Sequence, residues 1–302
     1  MTGSIVAAAC MSHSPGITGF PERADPVAAR HVMEGFGRLA ATMASVGPDG
    51  IVMVSAEHFT NFFIDNLPPF AIGTASGYVL PASAAFASFL KIPQRRYPGH
   101  EALGRTLHAG LIASEFDPAL VAGGYGFDEG FAVPLALVVG DRPVPVVPVV
   151  VNTVYPPYPS LRRCYAFGSA LAGVLAAQDV AERVMVLGTG GLSHWVGLPR
   201  AGEIDEVFDR EVLDAFASGQ VERILDMGDD EIDRSGNGAH EVRAWVMVAG
   251  AVSAALGGSP GRAAFSVLAY EPVPAWLTGT CVLEARLDLD GPRGPEEQRG
   301  IA

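Results

Sequence analysis

Three apolar runs along the chain each stop abruptly at a histidine. Ile51-Val52-Met53-Val54 passes through Ser55-Ala56-Glu57 to His58, and residues 4–11 pass into Ser12-His13-Ser14-Pro15-Gly16. The run at 183–187 breaks into Gly188-Thr189-Gly190-Gly191-Leu192-Ser193-His194. Short, continuous apolar runs bounded by turn residues are the pattern of strands buried on both faces. A further β-rich run covers 144–151. Between these runs the apolar positions recur at helical spacing over residues 24–45, 83–92, 100–115, 161–178, 204–218 and 221–227. A long Ala-rich helix opens at Asn237 and runs to about 256. Strands alternating with helices predict an α/β chain. In such sheets functional groups gather just past the carboxyl ends of the strands, which is where all three histidines fall.

The remaining segments read as connections. Residues 61–73 form a loop carrying Pro68 and Pro69, with Phe59, Phe62, Phe63 and Phe70 in or beside it; such aromatics suit the wall of a pocket for a flat ring or, equally, plain core. Residues 155–160 form a Pro/Tyr loop, and residues 270–276 an aromatic-proline segment suited to a lid or a subunit contact. His31, His100 and His108 fall on helical stretches and need no special role.

Composition narrows the class. The 302 residues are 49% hydrophobic and 18% charged, enough for one large core. We expect one catalytic domain over 1–285 and a polar, Gly/Pro-rich tail without fixed structure over 286–302. A net charge of −13 argues against nucleic acid or an anionic membrane as partner. Cys10, Cys164 and Cys281 are far apart and odd in number, so neither a zinc knuckle nor a disulfide framework is suggested, and a reducing cytoplasm fits. No signal-peptide pattern and no membrane-length apolar run is present.

His13, His58 and His194, with Glu241 at a helix start, are the candidate constellation. Two imidazoles and a carboxylate on one face of a divalent metal leave coordination positions open for substrate and O2, although a hydrolytic zinc site uses the same residue types. The glycines at 188–191 invite a phosphate-cradle reading, but no Lys-Ser/Thr follows and the spacing matches no nucleotide fingerprint.

Five ordered motifs carry a resemblance. They are Met11-Ser12-His13-Ser14-Pro15; Glu57-His58-Phe59 with Phe62-Phe63 and Pro68-Pro69-Phe70; Gly130-Phe131-Ala132 with Pro134-Leu135; Gly188 with Gly190-Gly191-Leu192-Ser193-His194; and Glu241-Val242-Arg243 with Trp245. Together they resemble the class III (LigB-type) extradiol ring-cleavage dioxygenases, nearest to the 2,3-dihydroxyphenylpropionate 1,2-dioxygenase branch. The resemblance implies an α/β fold with a central mixed sheet flanked by helices, and usually a homo-oligomer. It implies an Fe(II) centre, with Mn(II) as the alternative, held by His13, His58 and Glu241. The substrates would be a small aromatic ring of catechol type and O2. His194 would be a catalytic acid/base, and Asp128, Phe59, Phe63 and Pro134 would lie against the substrate.

One position departs from the pattern. The family's triplet is Asp-His-Gly, its histidine a second acid/base group; here it is Asp128-Glu129-Gly130. A carboxyl near apolar walls can have its pKa raised and serve as an acid, so Glu129 is the second catalytic candidate. The alternatives are a different substrate such as an aminophenol, an inactive partner subunit, or a metal hydrolase.

Overall fold

Strand β1 (Ser4–Met11) opens the chain in the computed structural model, which describes residues 3–140, 143–258 and 263–287. Two helices follow, α1 (Gly16–Gly19) and α2 (Pro26–Val46). Asp25 caps α2 by accepting from the Val27 and Ala28 amides, Pro26 stands in its first turn, and Gly47 closes it at φ 53°. Next come β2 (Gly50–Ser55), β3 (Phe70–Gly73), β4 (Gly77–Leu80), α3 (Ala84–Leu90), β5 (Arg95–Pro98), α4 (Glu101–Ala113) and β6 (Ala119–Val121). The middle of the chain holds α5 (Glu129–Val138), β7 (Val146–Val151), α6 (Leu161–Ala177), β8 (Arg183–Thr189) and α7 (Glu206–Ala217). Last are α8 (Asp229–Asp233), α9 (Val242–Ala255), β9 (Ser266–Val273) and β10 (Thr278–Arg286).

Eight strands form one mixed sheet in the order β6-β3-β7-β2-β8-β1-β10-β9, and β4 pairs with β5 apart from it. The central four, β7, β2, β8 and β1, are mutually parallel. Burial on both faces explains their uninterrupted apolar sequences. On one face Ala8, Cys10, Val52, Val54, Val184 and Val186 join a core with α4, α6, α7 and α9. On the other Ala7, Ala9, Ile51, Met53, Met185 and Leu187 join a core with α2 and α5. The layered arrangement is the α/β fold with a flanked mixed sheet that the sequence implied. Because β2, β8 and β1 are neighbours and parallel, their carboxyl ends lie side by side.

Helices α6 and α9 touch backbone to backbone. A Cβ on Gly168 would stand 1.8 Å from the Met247 carbonyl oxygen, and one on Gly250 would stand 2.1 Å from that of Tyr165. Gly168→Ala must therefore push the helices apart, and a cost of about 1–3 kcal/mol is expected for such overpacking. A urea melt read by circular dichroism checks this; an unchanged midpoint would contradict the packing.

Several expectations need correction. The region read as loop over 61–73 contains β3, and residues 221–227 supply only a single 3-10 turn, Val221–Ile224. The segment at 270–276 is the end of edge strand β9 and a turn, with Trp276 buried, rather than a lid. Pro272 is tolerated there because, among the described residues, β9 pairs on one side only. Of the tail expected to lack fixed structure, residues 288–302 lie outside the described residues, whereas Arg286 ends β10. Among the described residues no helix is long and apolar enough to cross a membrane.

Candidate active site

His13 leaves the end of β1 on a segment tied down at both sides. Ser12 donates its amide to the Cys281 carbonyl, and the Ser14 hydroxyl donates to the Trp276 carbonyl at 2.6 Å. His13 Nδ1 lies 3.3 Å from Thr189 Oγ1 at the end of β8. Thr189 also faces the Gly130 carbonyl at 2.7 Å and Ser55 Oγ at 2.9 Å. A carbonyl only accepts, so Thr189 donates to Gly130 and accepts from His13 Nδ1–H. That tautomer leaves His13 Nε2 free to ligate.

His58 is held by the turn that follows β2. Glu57, fully buried, accepts through Oε1 from the Thr60 amide (3.0 Å) and from the Asn61 amide and side chain. Asn61 in turn clamps Gly126 through both backbone groups. This tight reversal puts Phe59 at φ 55°, a left-handed conformation uncommon for an aromatic residue and common beside functional groups. Asp128, N-cap of α5 through the Gly130 amide, accepts from the His58 amide at 3.1 Å and from His58 Nδ1 at 3.0 Å. So His58 also carries its proton on Nδ1 and presents Nε2.

Glu241 ends a 3-10 turn, Ala239–Glu241, that leads into α9. Its Oε2 accepts from the Gly191 amide. Its Oε1 lies 3.1 Å from His58 Nε2 and 3.5 Å from His13 Nε2. Behind it the buried Arg243 guanidinium donates to the Pro159 carbonyl and to His240 Nδ1 and pairs with Asp229, fixing this end of α9.

His194 stands alongside. Its Nδ1 donates to the Leu192 carbonyl at 2.9 Å, and its Nε2 lies 3.8 Å from Glu241 Oε2. The imidazole is flanked by glycines: a Cβ on Gly191 would fall 2.3 Å from its Cε1, and one on Gly238 2.1 Å from its Nε2. Its loop is anchored by Asp209, which accepts from the Ser193 amide at 2.7 Å and the Tyr270 hydroxyl at 2.8 Å. Burial pushes the Asp209 carboxyl up to about 6.

The electrostatics follow from burial and from this mutual proximity. Burial alone would lower the His58 imidazole, but the Glu129 and Asp128 carboxylates raise it well above its ordinary value. Burial opposes ionisation of Glu241, yet His13, with His58 and His194, holds it well below the usual carboxylate range. Burial lowers His194 and raises Glu129.

The nitrogen and oxygen atoms offered by His13, His58 and Glu241 lie within 4.8 Å of one another. Atoms bound to one divalent ion at about 2.0–2.2 Å sit roughly 3–3.5 Å apart. The 3.1 and 3.5 Å separations and the two Nδ1–H tautomers therefore fit a metal, and the donor set is that of a facial triad.

Beside these groups is a cavity of about 190 Å³, walled by Pro15, Trp195, Val196, Trp276 and Leu277, with Glu129 and His194 facing it. Of the other residues expected near substrate, Asp128 is fully buried behind His58, and Pro134 is buried inside α5. Phe59 and Phe63 are 39% and 54% exposed. None of these four is among the lining residues. Sequence reasoning missed Thr189, Glu57, Asn61 and Asp209. An acidic residue directly before His58 was the one available signal, for Glu57.

A parallel sheet that brings two imidazoles and a carboxylate to one point, with a third imidazole beside them, is a layout for metal-assisted chemistry on a small ring. The chain belongs to the LigB family, described as the catalytic LigB subunit of aromatic ring-opening dioxygenase, which matches residues 7–280. It is thereby an extradiol ring-cleavage dioxygenase. It is 31% identical to a 2,3-dihydroxyphenylpropionate/2,3-dihydroxicinnamic acid 1,2-dioxygenase of Paraburkholderia xenovorans, over 92% of this chain and 96% of the relative. It is 29% identical to the enzyme so named in Cupriavidus necator, over 91% and 96%. The crystal structure of an uncharacterized protein from Escherichia coli K12 shares the fold, with TM-score 0.56 at 18% identity, over 92% of this chain and 99% of that one.

Proposed function

We propose that the protein is an Fe(II)-dependent dioxygenase that opens the ring of a catechol-type substrate with O2. His13, His58 and Glu241 hold the metal, for which Mn(II) is the alternative. The observation that carries this reading is the convergence of His13 Nε2, His58 Nε2 and Glu241 Oε1, with each side chain fixed from behind by Thr189, Asp128 or the Gly191 amide. Bound there, Fe(II) would supply a meeting point for both ring oxygens and O2 and a path for electrons between them.

The chain's own residues supply positioning and proton transfer. His194, its Nδ1–H fixed on Leu192, offers Nε2 as the base for a ring hydroxyl. Burial favours its neutral form, which is the form a base needs. Glu129 stands near His58, its Oε1 4.0 Å from His58 Nδ1, and burial favours its protonated form. It is the second acid/base group, giving a proton back as the ring opens. Trp276, Trp195, Pro15 and Leu277 shield the site from water. The cavity is smaller than the roughly 300–1,000 Å³ of pockets for drug-sized ligands, which favours a single ring over a fused system.

Three free, buried cysteines suit a reducing cytoplasm. Exposed apolar side chains on the loops bearing His58 and His194 (Phe63, Ile64, Val196, Leu198) favour a homo-oligomer. The test is anaerobic loading with Fe(II), then O2 uptake with catechol, 2,3-dihydroxyphenylpropionate, protocatechuate and 2-aminophenol. Uptake with a yellow ring-opened product is expected. Silence from iron-loaded protein, or turnover that persists without O2 as a metal hydrolase would show, sinks the reading.

A further inference from the structure

The charges around the cavity restrict which ring it takes. Among the described residues that line it there is no lysine or arginine, and its acidic side chains are Glu129 and Glu241. On the reading above, two of its imidazoles are metal ligands and the third is the base. None is left to neutralise an anionic ring substituent. Arg200 stacks on Trp195, 4.1 Å from the ring centroid, and pairs with Glu203 at 2.7 Å; it is not among the lining residues.

Glu129 adds a positive requirement. Its Oε2 is buried and meets no hydrogen-bond partner, while its residue faces the cavity. A buried polar atom without a partner is costly, and a ligand that brings a donor removes that cost. The neighbouring donor does not serve it: His58 Nδ1 is 3.0 Å from Asp128 and 4.0 Å from Glu129 Oε1.

We propose, resting on the catechol-dioxygenase reading, that this site selects rings whose further substituent is neutral or cationic and carries an N–H or O–H donor for Glu129, and that it disfavours carboxylate-bearing rings. The two dioxygenases named above act on acids by their names, so this selection would set the chain apart from them in specificity. A substrate carboxylate here would give up its hydration and gain no cationic side chain, the metal's charge being already met by Glu241 and the ring oxygens. Whether Glu129 is ionised or neutral, it offers no cation. It accepts a hydrogen bond in either state.

The test uses the full chain loaded anaerobically with Fe(II). Calorimetric titrations compare 2,3-dihydroxyphenylpropionate, its amide and 2,3-dihydroxyphenethylamine. Amide and amine are expected to bind at least about tenfold more tightly than the acid, the scale of one hydrogen bond made to a buried and otherwise unpartnered group. In Glu129→Leu, which removes the acceptor whatever its protonation, the gap narrows through weaker binding of the amide and amine. Acid binding as tight as that of the amide overturns the proposal, and so does an unchanged gap in the variant. The acid–amide comparison needs no variant, so the idea stays exposed if Glu129→Leu does not fold. O2 uptake on the same samples separates the two readings. Binding that discriminates without ring opening leaves charge selection standing and removes the dioxygenase assignment. Ring opening that favours the acid does the reverse, and a chain that binds none of the three overturns both.

Discussion

His58→Ala is expected to empty the metal site and abolish turnover while the protein stays folded. The loss of metal affinity should exceed the about 10–100-fold typical when only a residue behind a ligand is removed, because here the ligand itself goes. The fold survives because His58 lies beyond the end of β2, and the two buried cores do not draw on its ring; its loop adds only Phe62, at the margin of one of them. Asp128 keeps its bonds from the His58-position amide and the Gly130 amide, so no buried carboxylate is orphaned. Iron content by mass spectrometry and a thermal melt decide the matter. Equal iron in variant and wild type would remove His58 from the ligand set.

His194→Gln should divide metal binding from chemistry. His194 stands 3.8 Å from Glu241 Oε2, whereas His13 and His58 approach Oε1, so iron content should be unchanged. Loss of a positioned base typically lowers turnover by about 10²–10⁴-fold, and that is the expected fall in kcat. Substrate affinity should change far less. A variant that loses its iron would show that His194 ligates rather than moves protons. One that retains full kcat would move the base elsewhere, with Glu129 the first candidate.

The sheet was legible where burial on both faces left its mark. β1, β2 and β8 are continuous apolar runs, so each histidine at a strand end could be located, and Glu241 at a helix start could be set beside them. What was not legible depended on other signals. β10 begins Thr278-Gly279-Thr280-Cys281, without the continuous apolar run seen in β2, and Gly279 must admit Asp209. β3, β4 and β5 are four residues each, too short to carry a period. α5 is apolar almost all round and holds Pro134, so it shows no helical stripe. In the site, ligand candidates were readable because their chemistry is rare along a chain. The groups behind them were not: Thr189, Asn61 and Asp209 are ordinary residues whose importance comes from what folding sets beside them.

The two glycines that enclose His194 bear on how this enzyme would look to genetics. Gly191 and Gly238 have no functional group, yet any side chain at either would occupy the space of the imidazole. In a saturation screen scored by ring opening, both positions would be as intolerant as the metal ligands. In the same screen scored by protein abundance they would be far more permissive, since a displaced imidazole disturbs chemistry more than packing. A screen read by activity alone would enrol two residues without side chains as members of the catalytic set.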